Sequence, residues 1–120
     1  MCRLRLTVIF GSLAMLCGNS IASTPRPVTT SRQACAELKR AAVKYHLSRR
    51  NLSGRYYCES IGDNSQYFLF GLRYRVTEDE LVGSNLIGWF AIRRSDSAIR
   101  EWDINNDKAV PLRPHPAFEN

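Results

Sequence analysis

Few side chains in this chain are of a type that does covalent or metal chemistry. Its only histidines are His46 and His115, and its cysteines are Cys2, Cys17, Cys35 and Cys58. A Cys–His or Ser–His–Asp device needs a base held beside a nucleophile. His46 falls at the expected end of a helix and His115 in a proline-rich tail, and no serine stands in a nucleophile-elbow context. P-loop, dinucleotide, haem and EF-hand signatures are all missing. Asp103, Asn105, Asn106 and Asp107 carry oxygen ligands that suit calcium, but the spacing lacks the loop glycine and the terminal bidentate glutamate, so a turn is expected. Glu78-Asp79-Glu80 is a run of three carboxylates, and adjacent acids in a loop read as a solvated surface. The expectation is a protein that is not an enzyme, with no catalytic residues, no cofactor and no metal.

The N-terminus sets the compartment. Arg3 and Arg5 precede an apolar run from Leu6 to Cys17, about a dozen residues, too short to cross a bilayer as a helix. Ser20-Ile21-Ala22 has the small-x-small form of a cleavage site. Residues 1–22 read as a secretory signal peptide, cleaved near Ala22, and the product is expected to be periplasmic or secreted. Cys17 raises lipidation as another outcome, but Leu16 stands where a lipoprotein box has a small residue. Loss of Arg3 and Arg5 leaves 15 basic residues against 11 acidic ones, a mild net +4. That balance suits weak attraction to an acidic partner or an anionic envelope surface, and nothing in it favours nucleic acid. Cys35 and Cys58 alone remain after cleavage, and two cysteines in an exported protein most simply form one disulfide.

The roughly 98 residues that remain are enough for one domain. All five prolines lie towards the ends: Pro25 and Pro27, then Pro111, Pro114 and Pro116. Proline blocks ladder hydrogen bonds and helix interiors. Residues 23–29 are therefore expected to be an extended lead-in, 30–107 a single folded unit, and 108–120 a Pro-rich tail. Within the unit, Thr30 and Gln33 form a capping-box pattern. The stretch ACAELKRAAVKYHLSRR reads as a helix with Cys35, Leu38, Ala42 and Tyr45 on one side, closed by Asn51 to Gly54. Four strands are expected after it: Gly54 to Ile61, Gln66 to Arg75, Leu86 to Arg93, and Ala98 to Ile104. In the second, Phe68, Phe70, Leu72 and Tyr74 alternate as a core face. The fold expected is α+β, one N-terminal helix packed on a four-stranded antiparallel meander, with Cys35 on the helix bonded to Cys58 on the first strand.

Helix packing covers one face of such a sheet. In the third strand Leu86, Phe90 and Ile92 make the better core face, which turns Trp89 to the other side. Trp89 and Trp102 then either stack across the strands and shield the sheet or meet a partner. The candidate partner-binding residues are Trp89, Trp102, Tyr57 and Tyr67 on that face, with Glu78, Asp79 and Glu80 in the loop between the second and third strands.

The segment GWFAIRRSDSAIREWDI, with Ile99 to Asp103 as its return strand, resembles the closing hairpin of PepSY-like and related small exported α+β domains. It departs from their pattern at Ala98, where a glycine is usual. The resemblance implies small envelope modules that bind or inhibit, including immunity proteins against cell-wall toxins, and it carries over no catalytic residue. The function expected is a small exported binding protein, an inhibitor or immunity protein for an envelope-acting hydrolase, with a protein partner in the envelope. The alternative is an accessory protein that touches peptidoglycan or anionic lipid at the membrane surface through Lys39, Arg40, Lys44, Arg49 and Arg50.

Overall fold

A computed structural model describes residues 26–113. The signal-peptide, lipidation and distal-tail expectations, on residues 1–25 and 114–120, lie outside the described residues. One helix, α1 (Ser31–Lys44), precedes five strands: β1 (Tyr56–Asp63), β2 (Tyr67–Tyr74), β3 (Leu86–Arg93), β4 (Ile99–Asp103) and β5 (Lys108–Val110). The strands form one antiparallel meander in chain order. The fold is α+β, with Cys35 of α1 bonded to Cys58 of β1.

The capping box starts α1 as the sequence indicates. Thr30 Oγ1 accepts from the Gln33 backbone at 3.1 Å, and the Gln33 side chain accepts from the Thr30 backbone at 3.2 Å. Ala34, Leu38, Ala41 and Ala42 bury one stripe of the helix. Three alanines there let the helix axis approach the sheet closely, and Leu38 fills the remaining depth. The helix stops well before Arg50, where the sequence led one to expect its end. His46 takes φ 54°, and the Leu47 N–H turns back to the Ala42 carbonyl at 3.1 Å. This is a Schellman closure with histidine in the left-handed position that glycine usually holds. It buries Leu47 against the core.

The strand count is five, not four. The extra strand comes from residues 108–110, which their neighbouring prolines had assigned to the tail. Asp103 makes the connecting turn: its carboxylate accepts from the backbones of Asn105 and Asn106, each at 3.1 Å, and Asp107 takes φ 57°. The acidic-amide run is therefore a hairpin turn, as its spacing suggested.

Phe68, Phe70, Leu72 and Tyr74 do face the helix, together with Tyr56, Phe90 and Ile92. One face assignment is reversed. A bulge pairs Arg73 with Leu86 directly after Leu72 with Gly88, which sends Ile87 to the helix side and Leu86 to the outer side. An extra residue in one strand inverts every side chain beyond it.

Candidate functional site

The longest connection in the sheet, residues 75–85 between β2 and β3, is held at both ends. At its base Glu80 accepts from Arg50 Nη2 at 2.8 Å, from Arg55 Nη2, and from the Thr77 backbone N–H at 2.8 Å. The Thr77 hydroxyl donates to Asp79 at 2.9 Å. Arg55 also donates to the Arg75 carbonyl through Nε at 3.0 Å and Nη2 at 2.8 Å. Donation from the Thr77 backbone first, then from Arg50 and Arg55, brings the Glu80 carboxyl down to about 2. Glu80 is thus an ionised strut that joins the loop to the segment between α1 and β1.

Asn85 secures the other end. Its Nδ2 donates to the Tyr57 hydroxyl and to the Tyr74 carbonyl, both at 3.0 Å, while its Oδ1 accepts from Arg73 Nη1 at 2.8 Å. Arg73 in turn donates to Glu59 at 2.7 Å.

The loop turns apolar side chains to solvent. Leu81 is 99% exposed, and Val76 and Val82 are 41% and 40% exposed. Three of the seven exposed large hydrophobic residues of the described chain therefore sit in one fixed loop. Glu78 and Asp79 are exposed beside them. A lone exposed apolar residue is ordinary; here three lie in one loop whose backbone is held at Glu80 and Asn85.

The seven residues singled out from the sequence divide between two places. Tyr57, Glu78, Asp79 and Glu80 meet at this loop, with Tyr57 and Glu80 acting as anchors. Trp89, Trp102 and Tyr67 lie elsewhere, on the outer face of the sheet. There Leu69, Ala91 and Trp102 form a second small core, with Tyr67, Trp89 and Ala109 packed against it. Trp102 is 8% exposed, and its ring lies 6.4 Å from that of Tyr67. Such burial leaves Trp102 little surface to offer. Trp89 is half-buried, and its indole lies across Gly71: a Cβ built on Gly71 would stand 2.8 Å from Trp89 Cζ3. Ala109 of β5 pairs with Trp102, so the strand missing from the sequence reading helps to build this second core.

Sequence reasoning missed Leu81 and the residues that hold its loop: Arg50, Arg55, Thr77 and Asn85. The one signal present was Leu81-Val82 following three acids inside an otherwise polar connection. The arginine partners come from about 25 to 30 positions earlier in the chain, a distance no local pattern spans.

Among the described residues no group of three or more His, Cys, Asp or Glu side chains is placed to hold a metal ion, and no helix is long and apolar enough to cross a membrane. No family model matches the chain, and neither a curated protein nor a solved structure matches it.

Proposed function

We propose that this is a small exported binding protein that inhibits, or gives immunity against, a hydrolase acting in the cell envelope, and that the β2–β3 loop is its binding element. The observation that carries the reading is Leu81, almost fully exposed in a loop clamped by the adjacent Glu80 and by Asn85. A rigid apolar projection flanked by the exposed acids Glu78 and Asp79 suits insertion into an enzyme cleft that is apolar within and cationic at its rim. The disulfide is compatible with export. The likeness of the Gly88–Ile104 hairpin to PepSY-like modules supports the same class. Trp89 and Tyr67 belong to this reading only as supports of the sheet behind the loop.

Full burial of a leucine side chain is worth about 1.5–3 kcal/mol, so Leu81→Ala should weaken the complex about 10- to 150-fold. The experiment is parallel capture from envelope and secreted extracts at physiological salt, with wild-type and Leu81→Asp protein as bait. A hydrolase held stoichiometrically by the wild type and lost with Leu81→Asp is the expected result. Equal recovery by both baits would remove the loop from the interface. Recovery of only lipid or wall material, released by salt, would end the inhibitor reading.

A further inference from the structure

A second surface stands on its own observations. An open groove of about 610 Å³ runs between the later turns of α1 and the ends of β1 and β2. Val43 and Tyr56 give it an apolar floor, and Lys39, Arg40, Lys44 and Arg75 surround it. No acidic residue lines it. Arg40 is neutralised by Glu37. Lys39, Lys44 and Arg75 have no carboxylate partner among the described residues; Lys44 rests over the Tyr45 ring at 5.2 Å and Arg75 over the Tyr57 ring at 5.5 Å.

The contrast with the rest of the molecule gives this weight. Arg50 and Arg55 pair with Glu80, Arg73 with Glu59, Arg93 with Asp96, Arg94 with Asp63 and Arg113 with Glu101. The fold places its carboxylates beside those arginines and leaves the groove with uncompensated positive charge over apolar surface.

The geometry points to this groove as a docking surface for anionic phospholipid at a bilayer. A phosphodiester headgroup offers acceptors to the cationic side chains that line the groove, Lys39, Lys44 and Arg75. The methylenes below it would cover Val43, which is 39% exposed on the groove floor. Long cationic side chains suit that depth, because each combines an apolar stem with a charged tip. The groove is open along its length, so a bound lipid keeps its tails in the membrane. The surface is separate from Leu81 and holds or fails independently of the inhibitor reading.

The test is co-sedimentation of the disulfide-bonded protein with vesicles of phosphatidylcholine containing 30% phosphatidylglycerol, and with phosphatidylcholine alone. Near an anionic surface each Lys or Arg contributes about 1 kcal/mol, so K39Q/K44Q/R75Q should lower partitioning about 150-fold, and K39Q/K44Q about thirtyfold. R26Q/R100Q/K108Q removes equal charge elsewhere and should cost less than tenfold. Rising salt should release the wild type. Equal loss in the two triple variants would show diffuse attraction and overturn the groove. Equal binding to neutral vesicles would overturn the headgroup contact. Amide shifts in α1 that saturate with millimolar inorganic phosphate and abolish vesicle binding would assign the site to free phosphate instead.

Discussion

Gly71→Ala tests how the outer face of the sheet is built, and with it the claim that Trp89 is structural. Gly71 is buried in β2 opposite Trp89. A methyl group there would meet Trp89 Cζ3 at 2.8 Å and Cε3 at 3.1 Å, with Leu86 Cδ1 at 3.5 Å. Real Cβ atoms do not approach carbon so closely, so the indole must lift. Overpacking of this kind costs about 1–3 kcal/mol. Replacing glycine by alanine within a strand returns about 0.5–1 kcal/mol through lost chain freedom. The net loss is about 0–2.5 kcal/mol, which lowers Tm by about 4–8 °C per kcal/mol for a domain of this size. In a Trp89→Ala background the obstruction is gone, and Gly71→Ala should become neutral or slightly stabilising. The assay is urea denaturation of the four proteins of the cycle, with tryptophan emission read in parallel; emission should move to the red in the single variant as Trp89 enters water. If Gly71→Ala costs the same in both backgrounds, the contact is not what Gly71 accommodates, and the packing argument is wrong.

Two further perturbations probe the disulfide and the ion pairs. Replacing Cys35 and Cys58 by alanine opens a link across 23 positions and should cost about 3 kcal/mol, read as a lower urea midpoint; an unchanged midpoint would mean that the helix docks without it. Acid should weaken the fold through Glu80 and Asp96, whose carboxyls lie near 2 against ordinary values of 4.5 and 3.8, Glu80 through Thr77 and then Arg50 and Arg55, Asp96 through Arg93 and then the Ala98 backbone. A depressed carboxyl stabilises above its ordinary value and loses that contribution as pH falls towards its folded value, so stability should decline from about pH 4.5 to pH 2. Glu80→Gln should flatten the upper part of that decline in denaturation midpoints; an identical profile would deny Glu80 its role as a strut.

Local chemistry made much of this fold legible. Thr30 three residues before Gln33 ahead of an amphipathic run gave the helix start, and the alternation of Phe68, Phe70, Leu72 and Tyr74 gave the buried face of β2. The departures have two causes. His46, Ser97 and Asp107 all take positive φ without being glycine, and two of them redirect the chain: His46 closes α1 early and Asp107 opens the way into β5. Residue type alone does not announce such positions, because their cost is met by tertiary burial of the next residues along the chain, Leu47 in one case and Ala109 against Trp102 in the other. The bulge at Ile87 is the second cause, since an extra residue in a strand leaves no mark in a period-two pattern. For the candidate site, the acidic run drew attention to the correct loop, but the arginines that make Glu80 an anchor lie far away in sequence. For the tryptophans the sequence left two readings, shielding the sheet or meeting a partner. Trp102 is buried in a second small core beside the short fifth strand, which is too brief to be seen in the sequence.

The central claim is that Leu81, presented on a clamped loop, blocks an envelope hydrolase. Its most direct test is the rate at which envelope extracts clear a suspension of purified peptidoglycan, followed by turbidity, with added wild-type, Leu81→Asp or Glu80→Ala protein. Wild-type protein should slow clearing in a saturable, stoichiometric way, Leu81→Asp should have no effect at the same concentration, and Glu80→Ala should fall between them as the loop loosens. Clearing that is unaffected by the wild type, or slowed equally by Leu81→Asp, would contradict the account.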